Sequence, residues 1–419
     1  MAAGTPATDA PAADPPMSAG AGPRGARRRT TPTPDAGLGA AEGVRTRSLP
    51  GPAGPTVAGQ VTLRDVARLA GVHPGTASRA LNPQTRALVN AATAERVVEA
   101  ARRLVYRPNP AARSLKTRRS YTIGVLIPDL TNPLFPPIIR AIEDHLAAHG
   151  YVALIGSTDN DAARERLIFD GMRSRHVDGF ILATARHRHP LLGDVADAET
   201  AVVLVNRLAE HRAFPSASVD DALGVRLAVA HLAALGHRHI GHVAGPQSVS
   251  TGIGRQQGFR AGMLAVGLAV DPQLVLPTRA FAEHEGQRAC RALLARGRPV
   301  TAIVAGNDLL ALGCYAALEA AGLRCPDDVS VVGFNDMPFI DRLRPPLTSV
   351  RIPHAILGEA AARLVLERIA NRRGPVTALF LSPELVVRGS TAPPSSTAGP
   401  RPPLARAAPS RRVGADAVR

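Results

Sequence analysis

The chain has 419 residues, a hydrophobic content of 45% and a formal net charge of +16. This composition is typical of a globular protein with room for about two or three domains, and the absence of any run of about 18 apolar residues excludes a membrane-spanning helix. Three cysteines without a CxxC pair exclude a disulfide framework, and no apolar secretory segment follows the N-terminus, so we expect a reducing, cytoplasmic location.

The positive charge is concentrated in one short segment. Residues 61–119 hold 12 Lys+Arg and 3 Asp+Glu, a net charge of +9, whereas residues 120–390 are nearly balanced at +1. An arginine-rich genome composition would not explain why the long middle is balanced and this segment is not. The pattern therefore predicts that the segment binds a polyanion such as DNA.

The two ends of the chain differ from the rest in composition. Residues 1–59 and 392–419 are low-complexity sequence rich in Ala, Gly and Pro. Such segments bury too little apolar surface to fold, so both are predicted to be disordered tails.

Residues 60–106 predict a small all-helical domain that begins with two short helices. Thr62 is a suitable N-cap for the first helix, Gly71 ends it, and Pro74 suits the first position of a second helix over about 74–81. Helix, short break and helix within some twenty residues are typical of a helix-turn-helix, in which the second helix enters the major groove of DNA. The residues expected to be small where these helices cross are Ala67, Gly71 and Ala77.

A third helix completes the predicted domain. It is expected over about 91–104, after a cap at Asn90. Val97, Val98 and Ala101 are expected to close a small core against the first two helices.

From Tyr121 onward, apolar strands alternate with amphipathic helices. This alternation predicts an α/β core of doubly wound parallel sheets, and its length favours two similar subdomains that face a cleft. Their expected ranges are about 120–219 with 351–380, and 220–350 with 381–391. Ligands bind such sheets at the carboxyl ends of the strands. The polar residues found there are Asp129, Asn206, Asn307 with Asp308, and Asn335 with Asp336.

Several separated motifs occur in one order along the chain: VTLRDVARLAGV, GTASRALN, YRPNPAARSLKTRRS, IGVLIPDLTNPLF, VDGFILA, LGHRHIGHVAGP, TAIVAGNDLLALG, DVSVVGFNDMPF, PPLTSVR and LVVRGST. Over about residues 61–391 the chain resembles the lactose-repressor (LacI/GalR) family of bacterial transcription factors. The resemblance implies a homodimer, a pseudo-palindromic double-stranded operator and a core similar to periplasmic sugar-binding proteins. No cofactor, no metal and no contact with membranes are expected.

The resemblance also assigns roles in DNA binding. It implies base contacts from Thr76 and Arg79, since an arginine can bind guanine through two hydrogen bonds. It implies phosphate contacts from Ser78, Asn82 and Thr62. The chain departs from the family at Gly75, which has no side chain to read a base, so no operator sequence is predicted.

A hinge is expected over residues 107–119, between the two folded parts. In the family the matching stretch becomes helical only on DNA, with Asn109 at its start, Leu115 wedged into a base step from the minor groove and Lys116 beside it. About seven or eight residues cannot hold a helix alone in water, and an apolar wedge can bend DNA. The alternative is an ordinary basic linker.

The resemblance places an effector pocket between the two subdomains. The matching residues are Asp129, Phe135, Asn206, Arg255, Asn307, Phe334 and Asn335. Amides and charged groups around an apolar ring would suit a sugar or related polyol. The alternative is that these residues cap strand and helix ends, and Asp308 and Asp336 are expected to hold loops.

Other patterns do not support an enzyme. The glycines of 252–258 have the wrong spacing for a dinucleotide fingerprint, and no nucleophile elbow occurs. His237, His239 and His242 are not joined by further metal ligands and favour loop or surface positions, and residues 187–190 suggest a solvated loop.

The function expected from these patterns is transcriptional regulation, most simply repression, controlled by a small-molecule effector. A solute-binding protein of a sugar transporter would share the core, but it would require a signal peptide and no DNA-binding domain. Whether the effector releases DNA or promotes binding stays open, and a dimer is favoured because no leucine heptads follow the core.

Overall fold

A computed structural model describes residues 61–82, 85–107, 119–196, 200–210 and 214–395. The chain forms two compact units, and the division between them falls between Val97 and Val98, inside the third helix. Within the described ranges, no helix is both long enough and apolar enough to cross a membrane. Nearly all of the two predicted tails lies outside these ranges.

The first helix begins and ends at the residues that its sequence indicates. Helix α1 (Leu63–Ala70) starts after Thr62, whose hydroxyl and backbone N–H both donate to Asp65 Oδ2, at 2.7 and 3.0 Å. Gly71 ends the helix in the left-handed conformation, with φ at 63°. A Cβ at Gly71 would meet nothing within 4 Å, so this glycine serves the cap and not, as also expected, a close helix crossing.

The next two helices also have side-chain caps. Helix α2 (Pro74–Leu81) starts at His73, whose Nδ1 accepts a hydrogen bond from the backbone N–H of Gly75 at 3.1 Å. Helix α3 (Ala91–Arg103) follows Asn90, whose Oδ1 accepts from the backbone N–H two residues later at 3.0 Å. The three helices predicted from the sequence are thus confirmed.

Small apolar side chains form the core of the first unit. Its buried residues are Val66, Ala67, Ala70, Ala77, Ala80, Ala94 and Val97. Val98, expected in this core, is half-exposed. A 3₁₀ turn over Arg86–Leu88 joins α2 to α3 and was not predicted.

The second unit contains two six-stranded sheets. The strands of the first sheet are β1 (Thr122–Ile127), β2 (Val152–Ser157), β3 (Gly179–Leu182), β4 (Ala201–Val205), β5 (Ser216–Val219) and β11 (Ala378–Leu381). Their order is β11-β5-β4-β3-β1-β2, and all neighbours are parallel.

The second sheet repeats this plan with one reversed edge strand. Its strands are β6 (Ile240–Ala244), β7 (Val275–Pro277), β8 (Ala302–Ala305), β9 (Ser330–Asn335), β10 (Thr348–Arg351) and β12 (Glu384–Val386). Their order is β12-β10-β9-β8-β6-β7, and only β12 is antiparallel to its neighbour. The predicted pair of doubly wound, mainly parallel subdomains is confirmed.

Helices cover the faces of both sheets. They are α4 (Phe135–Ala148), α5 (Ala162–Ser174), α6 (Pro190–Ala196), α7 (Asp221–Ala234), α8 (Ser250–Ala265), α9 (Glu283–Leu294), α10 (Asp308–Ala320) and α11 (His354–Ala370). We call β1–β5, β11, α4–α6 and α11 the first lobe, and β6–β10, β12 and α7–α10 the second lobe. The chain passes between the lobes after β5, after β10 and after β11. The carboxyl ends of both sets of strands therefore belong to loops that can meet at one cleft.

The packing of α11 on α4 gives a test of this architecture. A Cβ at Gly358 would overlap the backbone carbonyl oxygen of Ile138, whereas a Cβ at Gly193, in α6, would meet nothing within 4 Å. We expect Gly358→Ala to lower the melting temperature, because overpacking should reduce the free energy of unfolding by about 1–3 kcal/mol or more. Gly193→Ala should leave it unchanged or raise it by up to about 1 kcal/mol through helix propensity. Equal melting temperatures for the two variants would contradict the close packing of these helices.

Candidate functional site

Helix α2 presents its inner face to the core and its outer face to solvent. Ala77 and Ala80 are buried, whereas Arg79 is exposed and Thr76 and Ser78 are half-exposed. The predicted DNA-contacting residues of α2 therefore lie on its outer side. Asn82, at the end of the helix, is also half-exposed.

Arg79 has no acidic partner in the described part of the chain. Arg68 pairs with Asp65 at 2.8 Å, but no carboxylate in the described part of the chain lies within 4 Å of the Arg79 guanidinium. Its donors are thus available to a base or a phosphate. Thr62 is exposed at the start of α1, where its hydroxyl is held by Asp65, and this hydrogen bond holds the pKa of Asp65 below its usual value.

The hinge predicted from the sequence cannot be placed. Asn109, Leu115 and Lys116 all lie outside the described residues.

The two lobes contact each other through loops at the carboxyl ends of their strands. The backbone N–H of His187 donates to the carbonyl of Ser248 at 2.9 Å, and that of Leu208 donates to Ser250 Oγ at 2.8 Å. His187 follows β3 and Leu208 follows β4, while both serines lie between β6 and the first turn of α8. These bonds join the loops after β3 and β4 to the segment between β6 and α8.

Arg255, on α8, is the centre of the polar groups in the second lobe. Its Nε donates to Asp221 Oδ1 at 2.8 Å, one Nη to the carbonyl of Gly306 at 2.6 Å, and the other Nη to Asn335 Oδ1 at 3.3 Å. The guanidinium carbon lies 3.8 Å from the centre of the Phe334 ring. The structure thus brings together three of the predicted effector residues, Arg255, Phe334 and Asn335.

Asp221 belongs to this group but was missed in the sequence. It lies beside Asp220, which caps α7 by accepting from the backbone N–H of Leu223 at 2.8 Å. The helix needs only one of these two neighbouring aspartates as a cap, and Asp221 is left to bind Arg255. The Asp-Asp pair was therefore the feature of the sequence that could have indicated a second role. Burial raises the pKa of Asp221 to about 6, and the Arg255 guanidinium opposes this rise.

Three other predicted effector residues have local structural roles. Asn307 Oδ1 accepts from the backbone N–H of Leu310 at 2.9 Å and so caps α10. Asp129 Oδ1 accepts from both the backbone and the hydroxyl of Thr131, at 2.8 and 2.7 Å. Phe135 is buried in the apolar core of the first lobe. The positions of Asn307 and Asp129 are therefore explained equally well by a structural capping role and by ligand binding.

Asn206 combines burial with an unusual backbone conformation. It follows β4, is 6% exposed and has a φ of 64°. Left-handed backbone is uncommon outside glycine and often occurs where a side chain must be aimed into a site.

A buried polar cluster in the first lobe was not predicted. Glu165, on α5, accepts a short hydrogen bond from the Thr184 hydroxyl, and its Oε1 lies 3.4 Å from His189 Nε2. The expectation of a solvated loop over 187–190 is wrong for His189, whose side chain is 2% exposed and whose Nδ1 accepts from the backbone N–H of Arg186. Burial lowers the pKa of His189 to about 4, so it is neutral and donates towards Glu165.

Of the three histidines expected at loop or surface positions, His237 and His239 lie in the loop before β6, and the expectation is wrong for His242. His237 is buried, with Nδ1 at 2.9 Å from Thr301 Oγ1 and Nε2 at 2.8 Å from the carbonyl of Ala392. His242 is buried in β6. In the described ranges, no cluster of three or more His, Cys, Asp or Glu side chains could hold a metal ion.

Two family models match this chain. The model of bacterial regulatory proteins of the lacI family matches residues 62–109, and that of the periplasmic binding protein-like domain matches residues 229–391. The HTH-type transcriptional repressor CytR of Escherichia coli is 33% identical over 333 residues, which are 79% of this chain and 96% of CytR.

Solved structures of transcriptional regulators also match. The complex of the transcriptional regulator CelR with cellobiose is 31% identical, with a TM-score of 0.61, and the match covers 79% of this chain and 99% of CelR. The lac repressor dimer bound to operator and the anti-inducer ONPF is 27% identical, with a TM-score of 0.70, and the match covers 80% of this chain and all of that one.

The carboxylate next to Asn307 gives a prediction about pH. Asp308 accepts from Ser349 Oγ at 2.5 Å and from the backbone N–H of Met337 at 2.8 Å, which ties the start of α10 to the loop after β9. Burial raises the pKa of Asp308 from 3.8 to about 7. The folded state therefore binds this proton more tightly than the unfolded state, and the contribution of Asp308 to stability falls as pH rises from about 4 to about 7.

We expect Asp308→Asn to remove this loss, since an amide can donate to Ser349 Oγ and still accept from the Met337 N–H. The stability of the variant relative to the wild type should increase between pH 5 and pH 8 by at least about 1 kcal/mol. The difference between their melting temperatures should therefore grow by roughly 2–4 °C for a unit of this size. Asp341→Asn, at an exposed carboxylate, is the control and should give a flat difference. A flat difference for Asp308→Asn would contradict a raised pKa.

Proposed function

This chain belongs to the LacI family of bacterial transcriptional regulators, and on that basis we propose that it is a repressor whose operator affinity is set by a sugar or related polyol bound between its two lobes. One observation carries the proposal: Arg255 is buried between strand ends of a two-lobed core in the same chain as a helix-turn-helix with an unpaired, exposed Arg79. The first feature suits a small-molecule sensor and the second a DNA-reading domain.

The proposed DNA contacts follow from the outer face of the helix-turn-helix. Arg79 binds a guanine edge and Thr76 a neighbouring base, while Thr62, Ser78 and Asn82 bind phosphates. The net charge of +9 over residues 61–119 supplies the affinity that does not depend on sequence. Asn109, Leu115 and Lys116 form the proposed hinge helix, with Leu115 as a minor-groove wedge.

The proposed effector contacts use both walls of the cleft. Arg255, Phe334 and Asn335 offer donors, a flat apolar ring and an amide, which suit the hydroxyls and the apolar face of a sugar ring. Asp129, Phe135, Asn206 and Asn307 remain candidates at neighbouring strand ends. CelR, a relative, was solved with cellobiose, which supports a carbohydrate as the ligand class.

The proposed mechanism couples two equilibria. The effector binds one relative angle of the lobes better than another, and in a homodimer that angle sets the spacing of two hinges on a pseudo-palindromic operator. The hydrogen bonds from His187 to Ser248 and from Leu208 to Ser250 are the described contacts that such a rotation would change. In this mechanism the protein acts in the cytoplasm through binding alone, without catalysis or a cofactor.

A substitution in α2 tests the DNA side. Operators are first selected from random duplexes by the full chain. We expect Arg79→Ala to weaken binding to the selected operator about 10- to 100-fold, or 1–3 kcal/mol, because a base contact is lost. Binding to random duplex should change much less. Arg188→Ala, at an exposed arginine of the core, is the control and should bind as the wild type does. Equal losses on operator and random DNA would mean that Arg79 contacts only phosphate.

A double substitution in the cleft tests the effector side. Arg255→Met alone would leave the Asp221 carboxylate buried without its partner, so Asp221→Asn is added. We expect this pair to keep operator affinity but to weaken, at least about 10-fold, the response to whichever sugar or nucleoside of a thermal-shift panel stabilises the wild type. Arg260→Ala, at an exposed arginine on the same helix, should respond normally. An unchanged response would remove Arg255 from the site.

A further inference from the structure

Arg207 is a buried arginine without an acidic partner. It follows Asn206 at the end of β4 and is 8% exposed. Its one described side-chain hydrogen bond runs from Nη1 to Asn160 Oδ1, at 3.3 Å. No carboxylate in the described ranges lies within 4 Å of its guanidinium, unlike that of Arg255, which pairs with Asp221. Buried charges are normally paired because their desolvation is costly, so this exception needs a reason.

The charged groups that act most strongly on Arg207 are other cations. Arg186 donates from Nη2 to the carbonyl of Asn160 at 2.7 Å, so two guanidinium groups bind one residue. Burial, and after it the charges of Arg255 and Arg186, lower the pKa of Arg207 to about 10, which still leaves it protonated at neutral pH. Arg255 belongs to the second lobe, and the residue after Arg207 donates to Ser250 of that lobe. Arg207 therefore lies where the lobes meet.

The carboxylates of Glu165 and Asp221 are hydrogen-bonded to groups other than Arg207. Glu165 accepts from the Thr184 hydroxyl and faces His189, and burial raises its pKa. Its charge opposes the lowering of the Arg207 pKa, but it forms no ion pair with Arg207 within 4 Å. Asp221 is bound to Arg255 Nε. The charges of Arg186 and Arg255 therefore act on Arg207, while the carboxylates of Glu165 and Asp221 already have hydrogen-bond partners.

We propose that Arg207 binds an anionic group of the effector, a phosphate or a carboxylate, in the cleft between the lobes. The proposal rests on the proposed function, since it takes the cleft to be the effector site. The guanidinium fork matches the oxygens of either group through two parallel hydrogen bonds. Arg255, on the opposite wall, adds favourable charge. The effector class is then a phosphorylated or acidic sugar and not a neutral one.

The ligand-free state distinguishes this role from a structural one. A structural arginine stabilises the fold through its partners, so its removal is destabilising. An arginine held for a ligand leaves the empty protein with an uncompensated buried charge, so its removal is neutral or stabilising until the ligand is added.

The test compares Arg207→Gln with the wild type and with Arg188→Gln, at an arginine whose side chain is 89% exposed in the same lobe. Melting temperatures of the full chain are measured in sodium chloride and in inorganic phosphate at equal ionic strength. They are then measured with three matched pairs: ribose and ribose 5-phosphate, glucose and glucose 6-phosphate, and glucose and gluconate. The phosphate and gluconate arms separate the two possible anionic groups.

We expect the wild type and Arg188→Gln to be stabilised by phosphate beyond chloride, and by at least one anionic sugar beyond its neutral partner. Arg207→Gln should lose most of that increment, while its melting temperature in chloride equals or exceeds that of the wild type. The proposal is overturned if Arg207→Gln keeps the increment, or if the wild type shows none. In the second case, a shift by a neutral sugar would leave the effector cleft standing, whereas no shift by any sugar would count against the proposed function as well.

Discussion

The second lobe is organised around one buried arginine that three other segments hold. Arg255 reaches Asp221, where the chain enters α7 from the first lobe, and it also reaches the Gly306 carbonyl after β8 and Asn335 at the end of β9. A buried ion pair adds little net stability, but loss of one partner costs about 3–5 kcal/mol because a charge is left unpaired. Its main consequence is positional, since it fixes the entry to the lobe against the carboxyl ends of two strands.

Close helix packing sets the position of Arg255. A Cβ at Gly258 would come within 2.6 Å of the Ala222 backbone, and one at Gly254 within 3.2 Å of Asp221 Cβ. Gly254 and Gly258 therefore let α8 lie directly against the first turn of α7, whereas Gly252 packs against the Pro246 carbonyl. This explains a pattern that resembles a dinucleotide fingerprint without its spacing: glycine is needed here for helix contact, and no phosphate-binding turn is formed. The ion pair and the glycines depend on each other, because a larger separation would pull Asp221 away from Arg255.

Features controlled by neighbouring residues could be predicted from the sequence. The caps at Thr62, Asn90 and Gly71 and the alternation of apolar strands with helices are local patterns, and the helices and the two-sheet core follow them. Features that join distant residues could not. His189 is buried because Glu165 lies beneath it on α5, and no spacing indicates that pairing. Asn307 shows a second limit of prediction from sequence, since an amide after a strand suits a helix cap and a ligand equally well.

In the proposed mechanism, the distribution of charge between the lobes connects effector binding to their relative movement. Arg207 belongs to the first lobe and Arg255 to the second, and the charge of Arg255 helps to lower the pKa of Arg207. A ligand shifts a conformational equilibrium only through its different affinity for the two states. An anionic group between these guanidinium groups interacts with both only when the lobes are close, so its charge alone supplies such a difference. A neutral sugar would have to obtain the same difference from hydrogen bonds, which exchange with water at little net gain. In our proposal, this buried arginine without an ion-pair partner couples effector binding to the relative angle of the lobes.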